Sequence, residues 1–71
     1  MYHYQRLLDL REDAELTQKQ VAEVLGITAQ QYSLYERGSR EIPLHHVITL
    51  AKFYSVSIDY IAGLTNSTER K

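Results

Sequence analysis

Two six-residue stretches of the sequence carry one signature: L-T-Q-K-Q-V (Leu16–Val21) and, eleven positions later, I-T-A-Q-Q-Y (Ile27–Tyr32). Each runs apolar residue, Thr, two variable positions, Gln, apolar residue. A Thr whose hydroxyl accepts the third backbone N–H of a helix, with a Gln reaching back to the Thr N–H, is a capping box, and the flanking apolar pair is a hydrophobic staple. Both stretches therefore predict helix starts. Gly26 lies between them, and glycine readily takes the left-handed conformation that closes a helix. The chain is thereby committed to two short helices meeting at a tight turn, and few small folds accommodate that pair.

The remaining sequence is also helical in pattern. From Tyr2 to Ala14, the residues Tyr4, Leu7, Leu8, Arg11 and Ala14 form one stripe with Leu10 at its edge. Gly38 closes the third helix, Pro43 suits the opening turn of a fourth, and Leu44, Val47, Ile48 and Ala51 supply its buried stripe. Val56-Ser57 caps a short fifth helix carrying Ile58, Ile61 and Ala62 to Gly63. Proline occurs once and no alternating β-branched run is present, so strands are not expected. Residues 1–65 are expected to form one domain, and 66–71, polar and without periodicity, a frayed tail.

Several function classes recede on size and composition. At 71 residues the chain can bury roughly 60% of its unfolded surface, enough for one small core and no deep cleft. No nucleophile, base and orienter set and no Gly-rich phosphate loop can be identified, so no catalytic residue and no enzyme activity are expected. The sequence holds no cysteine, which removes disulfides and thiolate metal sites. His45 and His46 are adjacent, so on a helix they point about 100° apart, poor geometry for sharing a metal. No metal, cofactor or small-molecule ligand is anticipated. Without an apolar run of about 20 residues or a signal-peptide segment, a soluble, cytoplasmic protein is expected, with no membrane partner. With Lys+Arg 8 against Asp+Glu 9, net charge gives no sign of nucleic-acid binding, and Asp9, Glu12, Asp13 and Glu15 make one region acidic.

Counting from Gln18 as the first residue of the helix pair, the fifth is the small Ala22, the ninth is Gly26, and the fifteenth and eighteenth are Tyr32 and Tyr35. That is the spacing of a helix-turn-helix, in which a small residue permits close approach, glycine makes the turn and late apolar residues anchor the second helix. Leu10-Arg11, Leu16-Thr17-Gln18, Val21-Ala22, Leu25-Gly26-Ile27-Thr28, Tyr35-Glu36-Arg37-Gly38, Leu50-Ala51 and Val56-Ser57 together resemble the phage repressor and Cro class of helix-turn-helix regulators, the XRE-like family. The resemblance covers about residues 4 to 64. It implies a compact, all-α, five-helix, lambda-repressor-like domain whose second and third helices form the motif. It also implies a double-stranded DNA operator, palindromic, bound by a homodimer, with repression as the outcome. The negative net charge favours the alternative, a protein-interaction module or antitoxin-type partner in which DNA contact is secondary.

At about 100° per residue, Ala29, Gln30, Ser33, Leu34 and Arg37 share one sector of the third helix, while Tyr32, Tyr35 and Glu36 share the opposite one. A face of Ala, Gln and Ser fits a major groove, where a Gln amide can pair with the N6 and N7 edge of adenine. Gln30 is assigned to that edge. Gln31, on the boundary, belongs chiefly to the capping box with Thr28. Thr17 and Gln18 open the second helix, where free N–H groups favour phosphate, and the resemblance implies the phosphate role for Gln18. Arg37, Ser39 and Arg40 form the basic cluster of the central part and are expected to clamp the DNA backbone. In the family, residues matching Arg11 and Glu36 form an ion pair, a structural role. Tyr60, Ile61 and Leu64 either form a candidate dimer patch or finish the monomer's core.

Overall fold

In the computed structural model, residues 4–63 are described, and they form five helices: α1 (Tyr4–Asp13), α2 (Gln18–Leu25), α3 (Ala29–Glu36), α4 (Leu44–Tyr54) and α5 (Ile58–Ile61). Both capping boxes form. The Thr17 hydroxyl accepts the Gln20 N–H at 3.1 Å and the Thr17 N–H donates to Gln20 Oε1 at 2.8 Å. The corresponding Thr28 and Gln31 distances are 3.1 and 3.3 Å. Ser57 caps α5 by accepting the Tyr60 N–H at 3.0 Å.

Four helix ends close in the same way, each with a residue in the left-handed region followed by an N–H that reaches five residues back. Ile27 donates to the Ala22 carbonyl past Gly26, and Ser39 to that of Leu34 past Gly38. At the other two ends the left-handed residue is not glycine: Glu15 (φ 57°) closes α1 and Ser55 (φ 58°) closes α4. An L-residue pays about 1–2 kcal/mol for that conformation, so packing on both sides of these turns must hold them there.

The core is Leu7 of α1, Val21 and Ala22 of α2, Tyr32 and Tyr35 of α3, Ile42, then Val47, Leu50 and Ala51 of α4, Val56, and Ile61 of α5. Leu16 and Ile27, the outer halves of the two staples, pack against it. Arg6 ties α1 to α5: its guanidinium lies 4.1 Å from the Tyr60 ring centroid and donates to the Tyr60 carbonyl at 3.0 Å.

The structure corrects three apolar stripes. α4 is turned so that His46, Val47, Leu50 and Ala51 face the core, whereas Leu44 is 62% exposed and Ile48 only half-buried. Both stripes share Val47 and Ala51; in the observed turn Leu50 is fully buried and the His46 ring lies 6.1 Å from that of Tyr35. In α1, which stops at Asp13, Ala14 is exposed and Leu10 packs on the core instead. In α5, Ile58 is 40% exposed and only Ile61 is fully inside. Tyr2, Leu64 and the 66–71 segment lie outside the described residues, as does the side chain of Tyr4.

Candidate nucleic-acid interface

The helix pair is built around Ala22 and Tyr32, 1% and 0% exposed, so α3 is packed through its tyrosine side and shows the opposite face to solvent. That face meets the start of α2. Gln18, Ala29, Gln30, Ser33, Leu34 and Arg37 line one shallow open depression. Gln30 and Arg37 are exposed, the other four half-buried. Gln18 and Arg37, far apart in sequence, are thus neighbours on one surface.

Gln31 is exposed and engaged in its capping box, leaving one amide group for other contacts. Thr17 and Thr28 are exposed at the two N-caps. Their hydroxyl oxygens are used by the caps, but each hydroxyl keeps its own proton to donate. Ser39 and Arg40 are exposed in the loop after α3, and both backbone N–H groups bond the Leu34 carbonyl, at 3.0 and 3.2 Å. The loop therefore continues the α3 surface, carrying Arg37 and Arg40 beside it.

Behind this face sits a buried ion pair. Arg11 Nε and Nη2 donate to the two Glu36 carboxylate oxygens at 2.6 and 3.2 Å, with side-chain exposures of 16% for Arg11 and 5% for Glu36. The remaining Arg11 nitrogen, Nη1, bonds the Leu16 carbonyl at 2.9 Å, which pins the turn between α1 and α2. Burial pushes the Glu36 carboxyl up, but the bonds from Arg11 first, and the help of Tyr32 and Gln18 after it, bring it net below its usual value. The Tyr32 hydroxyl is buried beside Glu36 without a partner in full hydrogen-bonding geometry. Burial above all, and then Glu36, raise the Tyr32 phenol beyond its ordinary range; burial and Glu36 push Tyr54 up to about 12. Both hydroxyls stay protonated.

One contact in this group has no signal in the sequence: Gln18 Nε2 donates to Glu36 Oε1 at 3.2 Å. The partners come from the first turn of α2 and the last of α3, and only the packing of the pair brings them together.

Of the two roles open to Tyr60 and Ile61, the structure gives them the one in the monomer's core. Ile61 is 2% exposed and belongs to the core, and Tyr60 is half-buried under Arg6. A groove between α4 and α5 is lined by Ile48, Ala51, Lys52, Val56, Ser57, Ile58 and Asp59. His45 is exposed, while His46 is buried with its ring 4.1 Å from that of His45. Among the described residues, no three His, Asp or Glu side chains are grouped to hold a metal, and no helix is long and apolar enough to cross a membrane.

The family model described as helix-turn-helix matches residues 7–61. The chain belongs to the helix-turn-helix family of DNA-binding transcriptional regulators. This helix-turn-helix chain is 45% identical over 67 residues to an uncharacterized HTH-type transcriptional regulator, YobD, of Bacillus subtilis, covering 94% of this chain and 60% of the relative. It is 40% identical over 53 residues to the cryptic phage CTXphi transcriptional repressor RstR of Vibrio cholerae, covering 75% and 48%. A third relative, the HTH-type regulator ImmR of Bacillus subtilis, is 40% identical over 58 residues, covering 82% and 46%. The helix-turn-helix chain thus spans roughly half the length of these curated relatives. The crystal structure of a transcriptional regulator from Listeria innocua superposes with a TM-score of 0.85 over all of this chain and 67% of its own, at 22% identity. That likeness establishes the five-helix fold.

Proposed function

We propose that this chain is a sequence-specific double-stranded DNA-binding regulator, a repressor, which inserts α3 into the major groove. The observation that carries this reading is the single depression formed by Gln18 with Ala29, Gln30, Ser33, Leu34 and Arg37. It combines a short-side-chain helix face, one exposed Gln amide and a cation on the surface that the helix-turn-helix presents to a duplex. Gln30 reads an adenine edge; Ala29, Ser33 and Leu34 shape the fit and can meet a thymine methyl. Thr17, Gln18, Thr28, Arg37, Ser39 and Arg40 hold the phosphates. The repressor assignment draws on the similarity to the repressor RstR. A cytoplasmic location follows from this role.

One such module covers a half-site, so the reading includes a two-fold homodimer on a palindromic operator. The groove between α4 and α5 supports it. Ile48 and Ile58 give it apolar surface, and Lys52 and Asp59, both exposed, supply opposite charges that a two-fold axis could set against each other.

Selection of bound sequences from a random duplex library, followed by a salt titration on the winners, tests the whole reading. A symmetric pair of half-sites, with affinity falling by about 0.9 log units per phosphate contact for each tenfold rise in salt, is the expected result. Salt-independent or absent binding would favour the protein-interaction module, to which the net charge of −1 already points.

A further inference from the structure

We infer that Glu36 is a positioning residue for DNA binding: held by Arg11, it fixes the Gln18 amide so that one N–H faces the carboxylate and the other is left for a phosphate. The inference rests on the DNA reading above and gives the buried ion pair a task beyond stability.

A carboxylate accepts hydrogen bonds and donates none, so the amide of Gln18, 3.2 Å from Glu36 Oε1, must show it the NH2 group. An amide free in solvent has no such constraint and can turn either end outward. A phosphate is also an acceptor only. The amide nitrogen carries two protons about 120° apart, one spent on Glu36 and one available to the solvent side, where Gln18 lines the depression with Gln30 and Arg37. Glu36 cannot swing away, because its side chain is 5% exposed and both its oxygens are tied to Arg11. Arg11 is fixed in turn by the Leu16 carbonyl, one residue before the Thr17 cap. The chain of bonds therefore runs from the α1–α2 turn through the end of α3 to the first residue of α2, and it ends on a surface donor. Arg11 also cancels the charge of Glu36, so a carboxylate can stand behind a phosphate site without repelling the phosphate.

The test is a binding cycle on the selected duplex and on a random duplex, comparing the wild type with Gln18→Ala, with the paired replacement Arg11→Met and Glu36→Met, and with all three changes. The paired replacement leaves net charge unchanged, so long-range attraction to DNA is not altered. Gln18→Ala should weaken both duplexes about 3- to 10-fold, the range of one hydrogen bond. The paired replacement should weaken them by a similar factor while the chain is fully folded, and adding Gln18→Ala to it should cost less than a further twofold. If Gln18→Ala costs as much in the paired background as in the wild type, the positioning role is wrong. A second arm needs neither DNA nor a variant. The side-chain 15N–1H signals of Gln18 should shift on acidification in one step with the Glu36 carboxyl; signals that ignore that step would overturn the assignment even if the paired variant does not fold. A wild type that binds no duplex removes the DNA reading and the positioning role together, whereas DNA binding with additive variants removes the positioning role alone.

Discussion

Arg11→Met should be among the most damaging single changes in this chain. Glu36 would keep only the Gln18 N–H as a bonded donor, with a side chain 5% exposed. Breaking a buried pair at one end costs about 3–5 kcal/mol, because the surviving charge is left out of water without compensation. Arg11 is 16% exposed, so some water can reach the carboxylate, and the expected loss is about 2 to 4 kcal/mol. Loss of the Arg11 bond to the Leu16 carbonyl adds to the same direction. A domain of 71 residues has a total stability on the order of 4 to 10 kcal/mol, so the variant should sit near its unfolding threshold. Replacing both partners by methionine removes the stranded charge and should recover a substantial part of the loss. Urea unfolding at pH 7 of the wild type, both single variants and the double variant measures this directly. A coupling below about 0.5 kcal/mol, which is strict additivity within error, would refute the argument that the two groups compensate each other's burial.

Gln30→Ala should leave stability within about 0.5 kcal/mol and lose about 1 to 3 kcal/mol of discrimination at one A·T position per half-site, whereas Gln31→Ala should cost several tenths to about 1 kcal/mol of stability with the selected sequence unchanged; exchanged phenotypes would mean that α3 meets DNA through another face. Arg40→Ala should weaken all duplexes alike and reduce the log-log salt slope by about one unit, and a shift in base preference would contradict the clamp role. Burial, and after it His45, lower the pKa of His46; the unfolded chain then binds the extra proton first, so the contribution of neutral His46 is present above the ordinary value of 6.5 and is lost as pH falls through the lower folded value. Unfolding at stepped pH should show this loss in the wild type and not in His46→Phe. Ser55→Gly should raise stability by about 0.5–1 kcal/mol, since glycine takes the left-handed turn at φ 58° without the Cβ penalty, and a thermal melt showing destabilisation would place the strain elsewhere.

The local signals were legible in the sequence because their partners lie three or four residues apart. Thr17 with Gln20, Thr28 with Gln31 and the glycine at position 26 bond within their own turns, so residue type and spacing determine them before any tertiary contact forms. The face of α3 was legible for a related reason: Tyr32 and Tyr35, one turn apart, are its two aromatic residues and take the inside, which turns Ala29, Gln30, Ser33 and Leu34 toward the other face. α4 offered no such asymmetry. Leu44, Val47, Ile48 and Ala51 make as good a stripe as His46, Val47, Leu50 and Ala51, and the choice between them falls to the packing of α4 on the other helices, with Leu50 fully buried and His46 beside the Tyr35 ring. The left-handed turns at Glu15 and Ser55 were equally hidden, because no local preference favours them, while the next residues, Leu16 and Val56, pack with the core. The bond between Gln18 and Glu36 belongs to the same class. Its two ends meet only when α2 and α3 dock, since helical spacing governs which residues share a face but says nothing about which faces come together.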